Sequence, residues 1–282
     1  MRRENEDIAG RLLAACSACL CTDAGPQGTA FFVSPGYAVT AAHIVGGTDG
    51  LAVRLSEGSR TWRGHVTDVR PPAADTMAAT SPFPAPDVAL ITIVEGPAHS
   101  CALLGHRLPD MGAWVMARGY TQTFGHQVVT AETETFRLTG SLETPDPGCT
   151  LLKLGLGEVT KGMSGAPVIG LATGEVIGLL RTSRQLGSNL GGWVVPADVI
   201  RLLWPEQAGE ENDLFHQRDP CWREEILQLR PRSPQEGSPA QSGLSIGKIV
   251  ADIVPVITGG NIGTMHIENS AVAKQRRGSG EC

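Results

Sequence analysis

Short apolar stretches, each closed by Gly, Pro, Asp or Ser, run through the first two hundred positions of the chain. Val, Ile, Leu, Thr and aromatic residues dominate them, which favours strands over helices. The pattern predicts strands over 30–34, 37–40, 51–55, 62–69, 88–94, 113–117, 135–139, 151–154, around Val168, and over 176–180 and 192–195. Pro35-Gly36 joins the first two with residues suited to a type II turn. Residues 12–21, with alternating small side chains, read as a further strand ahead of these. Strands this short and this regularly spaced predict an all-β sandwich or barrel. Residues 196–204 break the pattern: Pro196 opens a helix, Asp198 sits in its first turn, and Val199, Ile200, Leu202 and Leu203 follow.

Beyond Pro205 the patterning changes. Residues 206–242 are polar and rich in Pro, Glu, Gln, Ser and Arg, and read as a flexible linker with one helical turn around 222–229. Ile246, Ile249, Val250, Ile253 and Val254 then recur at helical spacing until Pro255. Residues 243–282 are too few to bury a core of their own. They form either a docking or oligomerisation segment for a regulatory protein, or a tail that packs back or stays unstructured. The predicted organisation is a domain over 1–205, a linker over 206–242 and a small interaction segment over 243–282.

Composition narrows the classes. Gly 35 and Pro 19 in 282 residues suit a turn-rich β protein. The net charge is −6, with no basic stripe and no aromatic-basic interleaving, so nucleic acid is not an expected partner. No apolar run reaches the length of a membrane span, and no membrane partner is expected. Arg2-Arg3 and the LLAAC ending at Cys16 superficially resemble export signals, but Glu4, Glu6, Asp7 and Arg11 interrupt any apolar region. Seven cysteines in no pairing pattern, an odd number, suit a reducing cytosol. Cys16, Cys19 and Cys21 lack the second pair or histidine of a metal site, so no metal and no cofactor is expected.

Three segments carry chemistry. KGMSGAPV places Ser164 between Gly162 and Gly165, where the backbone turns sharply and presents a hydroxyl. TAAHIV places His43 after a strand, and PDVALITI places Asp87 before one. A serine hydroxyl is a weak nucleophile until an imidazole takes its proton and a carboxylate holds that imidazole in the right tautomer. Asp75 is a rival to Asp87, but the apolar run after Asp87 better suits a carboxylate that must be buried. His65, His99, His106, His126, His216 and His266 lack the context of His43, and none forms a zinc-peptidase HExxH. Ala166 occupies the second glycine position of a GxSxG elbow, which excludes the lipase-type arrangement.

The order His43, Asp87, Ser164 resembles the trypsin-like (chymotrypsin-fold) serine peptidases, nearest their bacterial V8-like and HtrA-like branches. GTAFFVSPGYAVTAAH, GEVIGLL and GGWVVPADVIRLL match the same pattern in the same order, over roughly residues 12–205. The resemblance implies two six-stranded antiparallel barrels with the active site between them and one C-terminal helix. It implies an oxyanion hole from the Gly162 and Ser164 amides. Met163 stands where digestive members carry an aspartate, so activation through a new N-terminus is not expected. Glu158, six residues before Ser164, is the candidate floor of the specificity pocket and would favour a basic substrate residue; the alternative is a solvated loop position. Arg181, Thr182 and Ser183 would form the edge that pairs with substrate. Arg181 is charged where the family usually has a small residue, and would recognise an acidic substrate residue or neutralise Glu158. The expected function is a serine endopeptidase, by analogy a cytosolic bacterial signalling or defence protease. The alternatives are a silent peptide-binding scaffold or an esterase on the same fold.

Overall fold

In the computed structural model of the protein, residues 2–72, 84–121, 129–144, 149–185 and 187–229 are described. Asp75, His126, His266 and the segment 243–282 lie outside them. Helix α1 (Arg2–Cys16) leads into six strands: β1 (Ser17–Thr22), β2 (Gly25–Ser34), β3 (Tyr37–Thr40), β4 (Ala52–Glu57), β5 (Arg60–Arg70) and β6 (Val88–Glu95). Six more follow: β7 (Trp114–Thr121), β8 (Thr130–Glu143), β9 (Thr150–Gly155), β10 (Pro167–Gly170), β11 (Val176–Ser183) and β12 (Gly192–Pro196). Helix α2 (Ala197–Leu203), a π-helical turn (Pro205–Glu210), α3 (Glu211–Arg218) and α4 (Cys221–Leu227) complete the described chain.

The strands close into two antiparallel barrels, β1-β2-β3-β6-β5-β4 and β10-β11-β12-β9-β8-β7. Closure gives every strand a partner on both sides over part of its length, and on β11 the pairing with β10 stops at Leu179. The side-chain alternation of each strand explains how the core divides. On β2, Ala30 and Phe32 point into the first barrel with Ala38, Leu55, Trp62 and Ile91. Phe31 and Val33 point out, into an apolar layer shared with Leu13 of α1, Leu179 of β11 and Ile200 of α2. Val115, Phe136, Leu138, Leu152, Val168 and Leu180 fill the second barrel. The strand β2 is therefore buried on both faces over Gly28–Ser34.

Two expectations need correction. Residues 12–21 are not one strand: helix α1 runs to Cys16 before β1 begins. Ile8, Ala9, Leu12, Leu13 and Cys16 are all buried, and their spacing is that of one helix face. The first part of the 206–242 linker is also not flexible. Asn212 of α3 is fully buried, and its amide nitrogen donates to the carbonyls of Val33 at 2.6 Å and Ala102 at 2.7 Å. Its oxygen accepts the Leu104 N–H at 3.2 Å. Trp222 of α4 is buried and donates to the Gly174 carbonyl at 2.8 Å. Polar composition concealed a helical strap held by a few buried anchors. Among the described residues no helix is long and apolar enough to cross a membrane.

Candidate active site

The site is assembled from segments at the ends of β3, β6 and β11 and from the loop before β10. After β3 the chain enters a single 3-10 turn, Ala42–Val45, closed by Gly46 in the left-handed conformation. His43 sits at its start, with its side chain 30% exposed. Asp87 immediately precedes β6 and is 1% exposed. Its φ of 63° lies in the left-handed region, which Asp tolerates better than most residues. The Ala42 N–H donates to the Asp87 backbone carbonyl at 3.2 Å and fixes that conformation against the histidine turn.

Both carboxylate oxygens of Asp87 are engaged. Oδ1 accepts the His43 backbone N–H at 2.9 Å, and Oδ2 lies 2.9 Å from His43 Nδ1. That second contact suits an imidazole that carries its proton on Nδ1, the tautomer in which Nε2 can accept one. Oδ2 also accepts a hydrogen bond from Nε of Arg181, again at 2.9 Å. Arg181 is on β11 of the second barrel, and its side chain is 9% exposed. The guanidinium thus lies against the Asp87 carboxylate, whereas the sequence places Arg181 along the expected substrate edge. Thr182 and Ser183, next along β11, are half-buried and pair with Trp193 and Gly192 of β12.

Ser164 lies on the loop between β9 and β10 and is half-buried. Its loop is pinned to the first barrel by one residue, Thr29 of β2. The Thr29 N–H donates to the Ser164 carbonyl at 2.9 Å, and the Thr29 hydroxyl donates to the Gly162 carbonyl at 2.8 Å. The same hydroxyl accepts the Tyr120 N–H at 2.9 Å. A side chain at Gly28 would meet the Ser164 carbonyl at 3.0 Å and Ile44, the residue after His43, at 2.8 Å. Ser164 and the histidine turn therefore approach each other across Gly28.

Two glycines make the loop possible. Gly162 has φ 101° and Gly165 φ 86°, both disfavoured for any residue with a Cβ. A Cβ at Gly162 would overlap the Tyr120 carbonyl oxygen, and one at Gly165 the Thr29 carbonyl oxygen. The amides of Met163, Gly165 and Ala166 donate to Thr160, Leu180 and Met163 carbonyls. Those of Gly162 and Ser164 have no acceptor among the described residues. Two free N–H groups flanking a serine are what a developing oxyanion needs. Met163 is fully buried in the second barrel, so the loop is anchored by packing where an ion pair was not available.

Glu158 is exposed on the same loop. Burial pushes the Glu134 carboxyl above its usual range, and the nearby charges of Glu132 and Glu158 push in the same direction. The Thr160 hydroxyl donates to Glu132 at 2.8 Å. Three carboxylates thus border one side of the serine loop. Elsewhere, the thiols of Cys19 and Cys21 lie 3.8 Å apart on β1, and no cluster of three metal-ligating side chains occurs among the described residues. Thr29 and the dyad-facing role of Arg181 are what sequence reasoning missed. For Arg181 the signal was present, as a charge at a position expected to be small.

Two closed six-stranded barrels, a half-buried histidine against a buried aspartate on one and a glycine-flanked serine on the other define a serine protease of the chymotrypsin type. The family model described as "Trypsin-like peptidase domain" matches residues 28–179, and the chain belongs to that family. The fold is similar to that of the Rv3671c protease in its inactive form, with a TM-score of 0.52 and 20% identity over 71% of this chain and 92% of that one. It is similar also to a serine-to-alanine variant of Rv3671c from M. tuberculosis H37Rv, with a TM-score of 0.50 and 20% identity over 71% and 89% of the two chains. No curated protein matches the chain by sequence.

Proposed function

We propose that the chain is a serine endopeptidase that cleaves a protein substrate through an acyl-enzyme. The observation that carries this reading is the 2.9 Å contact between His43 Nδ1 and a fully buried Asp87 carboxylate, on the opposite barrel from Ser164. His43 Nε2 takes the Ser164 proton as Oγ attacks the scissile carbonyl. The carbonyl oxygen gains negative charge and is met by the Gly162 and Ser164 amides. His43 then protonates the leaving amine, water attacks the ester with His43 again as base, and Ser164 is restored. The strand edge at Thr182 and Ser183 supports pairing with an extended substrate backbone. The six described cysteines are all unbridged, which supports a reducing compartment such as the cytosol.

The carboxylates of Glu158, Glu134 and Glu132 support cleavage after Arg or Lys. Turnover of peptides that differ only at the residue before the scissile bond tests both levels of the proposal. Ser164→Ala abolishes cleavage of every peptide while the fold is retained. Glu158→Gln lowers kcat/KM for Arg and Lys peptides by about 10-fold or more and leaves the others unchanged. Equal loss on all peptides would remove Glu158 from specificity, and full turnover by Ser164→Ala would end the protease reading.

A further inference from the structure

Arg181 interrupts the register of β11. Leu180 pairs with Val194 and Thr182 with Trp193, which leaves Arg181 as the extra residue of a bulge. Bulges next to active sites re-aim a side chain, and this one sends a guanidinium out of the second barrel toward the first. Its Nε reaches the same Asp87 oxygen that faces His43 Nδ1, each at 2.9 Å. Arg181 and Asp87 are both buried, so each is a charge removed from water and matched by the other.

We propose that Arg181 is a positioning residue: it fixes the Asp87 carboxylate, and through it the His43 ring, in register with the barrel that carries Ser164. The inference rests on the triad reading of the site. His43 and Asp87 share a barrel and the serine belongs to the other, so correct geometry depends on how the barrels dock. The Arg181–Asp87 pair spans that junction at the carboxylate itself. A small residue at position 181 would take the Arg181 donor away from Oδ2 and leave the His43 ring facing it. The donor is Nε, midway along the side chain. The ammonium at the tip of a lysine cannot take that position with the same alignment, so Lys is not an equivalent replacement. Arg181 touches neither the scissile bond nor the oxyanion, so its loss falls on the rate of chemistry rather than on substrate binding.

The experiment compares wild type, Arg181→Met and Arg181→Lys by steady-state peptide cleavage, thermal melting and the downfield proton NMR signal of the His43 Nδ1–H. Arg181→Met is expected to lower kcat by about 10²-fold, the scale of loss when reacting groups are slightly misplaced. KM stays within about twofold, and the downfield signal shifts or broadens. Arg181→Lys recovers part of the rate and part of the signal. Folded Arg181→Met with wild-type kcat and an unmoved signal overturns the proposal. If Met at 181 prevents folding, wild-type values in Arg181→Lys overturn it instead. The NMR signal reads the dyad directly, so a chain without peptidase activity still tests Arg181. Failure of the triad reading is seen separately, as absence of covalent labelling at Ser164.

Discussion

The hydroxyl of Thr29, on the first barrel, donates a 2.8 Å hydrogen bond to the carbonyl of Gly162, on the second. That bond fixes the peptide group that lies between the two proposed oxyanion donors, the Gly162 and Ser164 amides. Thr29→Val keeps the shape and removes the hydroxyl. It leaves the Gly162 carbonyl and the Tyr120 N–H without this partner. The expected cost is about 1–3 kcal/mol of stability, and the expected loss of kcat about 10-fold or more. Chemical denaturation and peptide turnover check the two separately.

Gly162→Ala and Gly165→Ala each force a Cβ onto a backbone carbonyl of the first barrel or of β7 at a positive φ. Backbone cannot yield as a flexible side chain does. Both variants are expected to lose turnover beyond about 10²-fold. An equivalent substitution at Gly36, where an added Cβ meets nothing within 4 Å, is expected to be silent in the same assay.

Asp87→Asn tests the dyad without disturbing its backbone, since Asn tolerates the left-handed conformation as well as Asp does. The amide can still accept the His43 N–H, but it stabilises the wrong imidazole tautomer. The expected loss is about 10⁴-fold in kcat, by the general behaviour of such triads. The change also leaves the buried Arg181 guanidinium without its counter-charge, so a lower melting temperature is expected, and turnover is compared at a temperature where the variant is folded.

Two histidines outside the site predict how stability depends on pH. Burial pushes His216 and His99 below the ordinary histidine range. The unfolded chain then takes up protons near pH 6.5 that the folded chain refuses. Their contribution is present above about pH 6.5 and is lost as the pH falls through the folded values. Thermal melts are expected to fall over that window. His216 is 1% exposed, stands edge-on to Phe215 and Trp222, and has no hydrogen bond of good geometry at either ring nitrogen among the described residues. His216→Phe therefore keeps stability at pH 7 and flattens the acid slope; a steeper slope would contradict this account.

The helical strap gives a further test. Asn212→Ala removes three buried hydrogen bonds to Val33, Ala102 and Leu104 at once. The expected cost is about 3 kcal/mol, read by denaturation, with the α3 amides losing protection from hydrogen exchange first.

The strands and the catalytic candidates were legible because their signals are local. TAAHIV, PDVALITI and KGMSGAPV each carry a residue and its turn within a few positions. What was not legible depends on distance. Thr29 and Gly162 are 133 positions apart, and Arg181 and Asp87 are 94 apart, so only the docking of two barrels reveals either pair. The first helix was misread for another reason. Its apolar face begins at Ile8, within a charged stretch, while the alternating small residues near Cys16 suit a strand. Asn212 shows the same limit in the tail: one buried amide, not an apolar run, holds the strap in place.

The central claim is that Ser164 is an activated nucleophile. Covalent labelling of the purified full chain with a fluorophosphonate probe tests it most directly, with Ser164→Ala and His43→Ala beside it. The account predicts that wild type is labelled on Ser164 and that neither variant is. A folded wild-type chain that takes up no label, or a His43→Ala variant labelled at the wild-type rate, would contradict it.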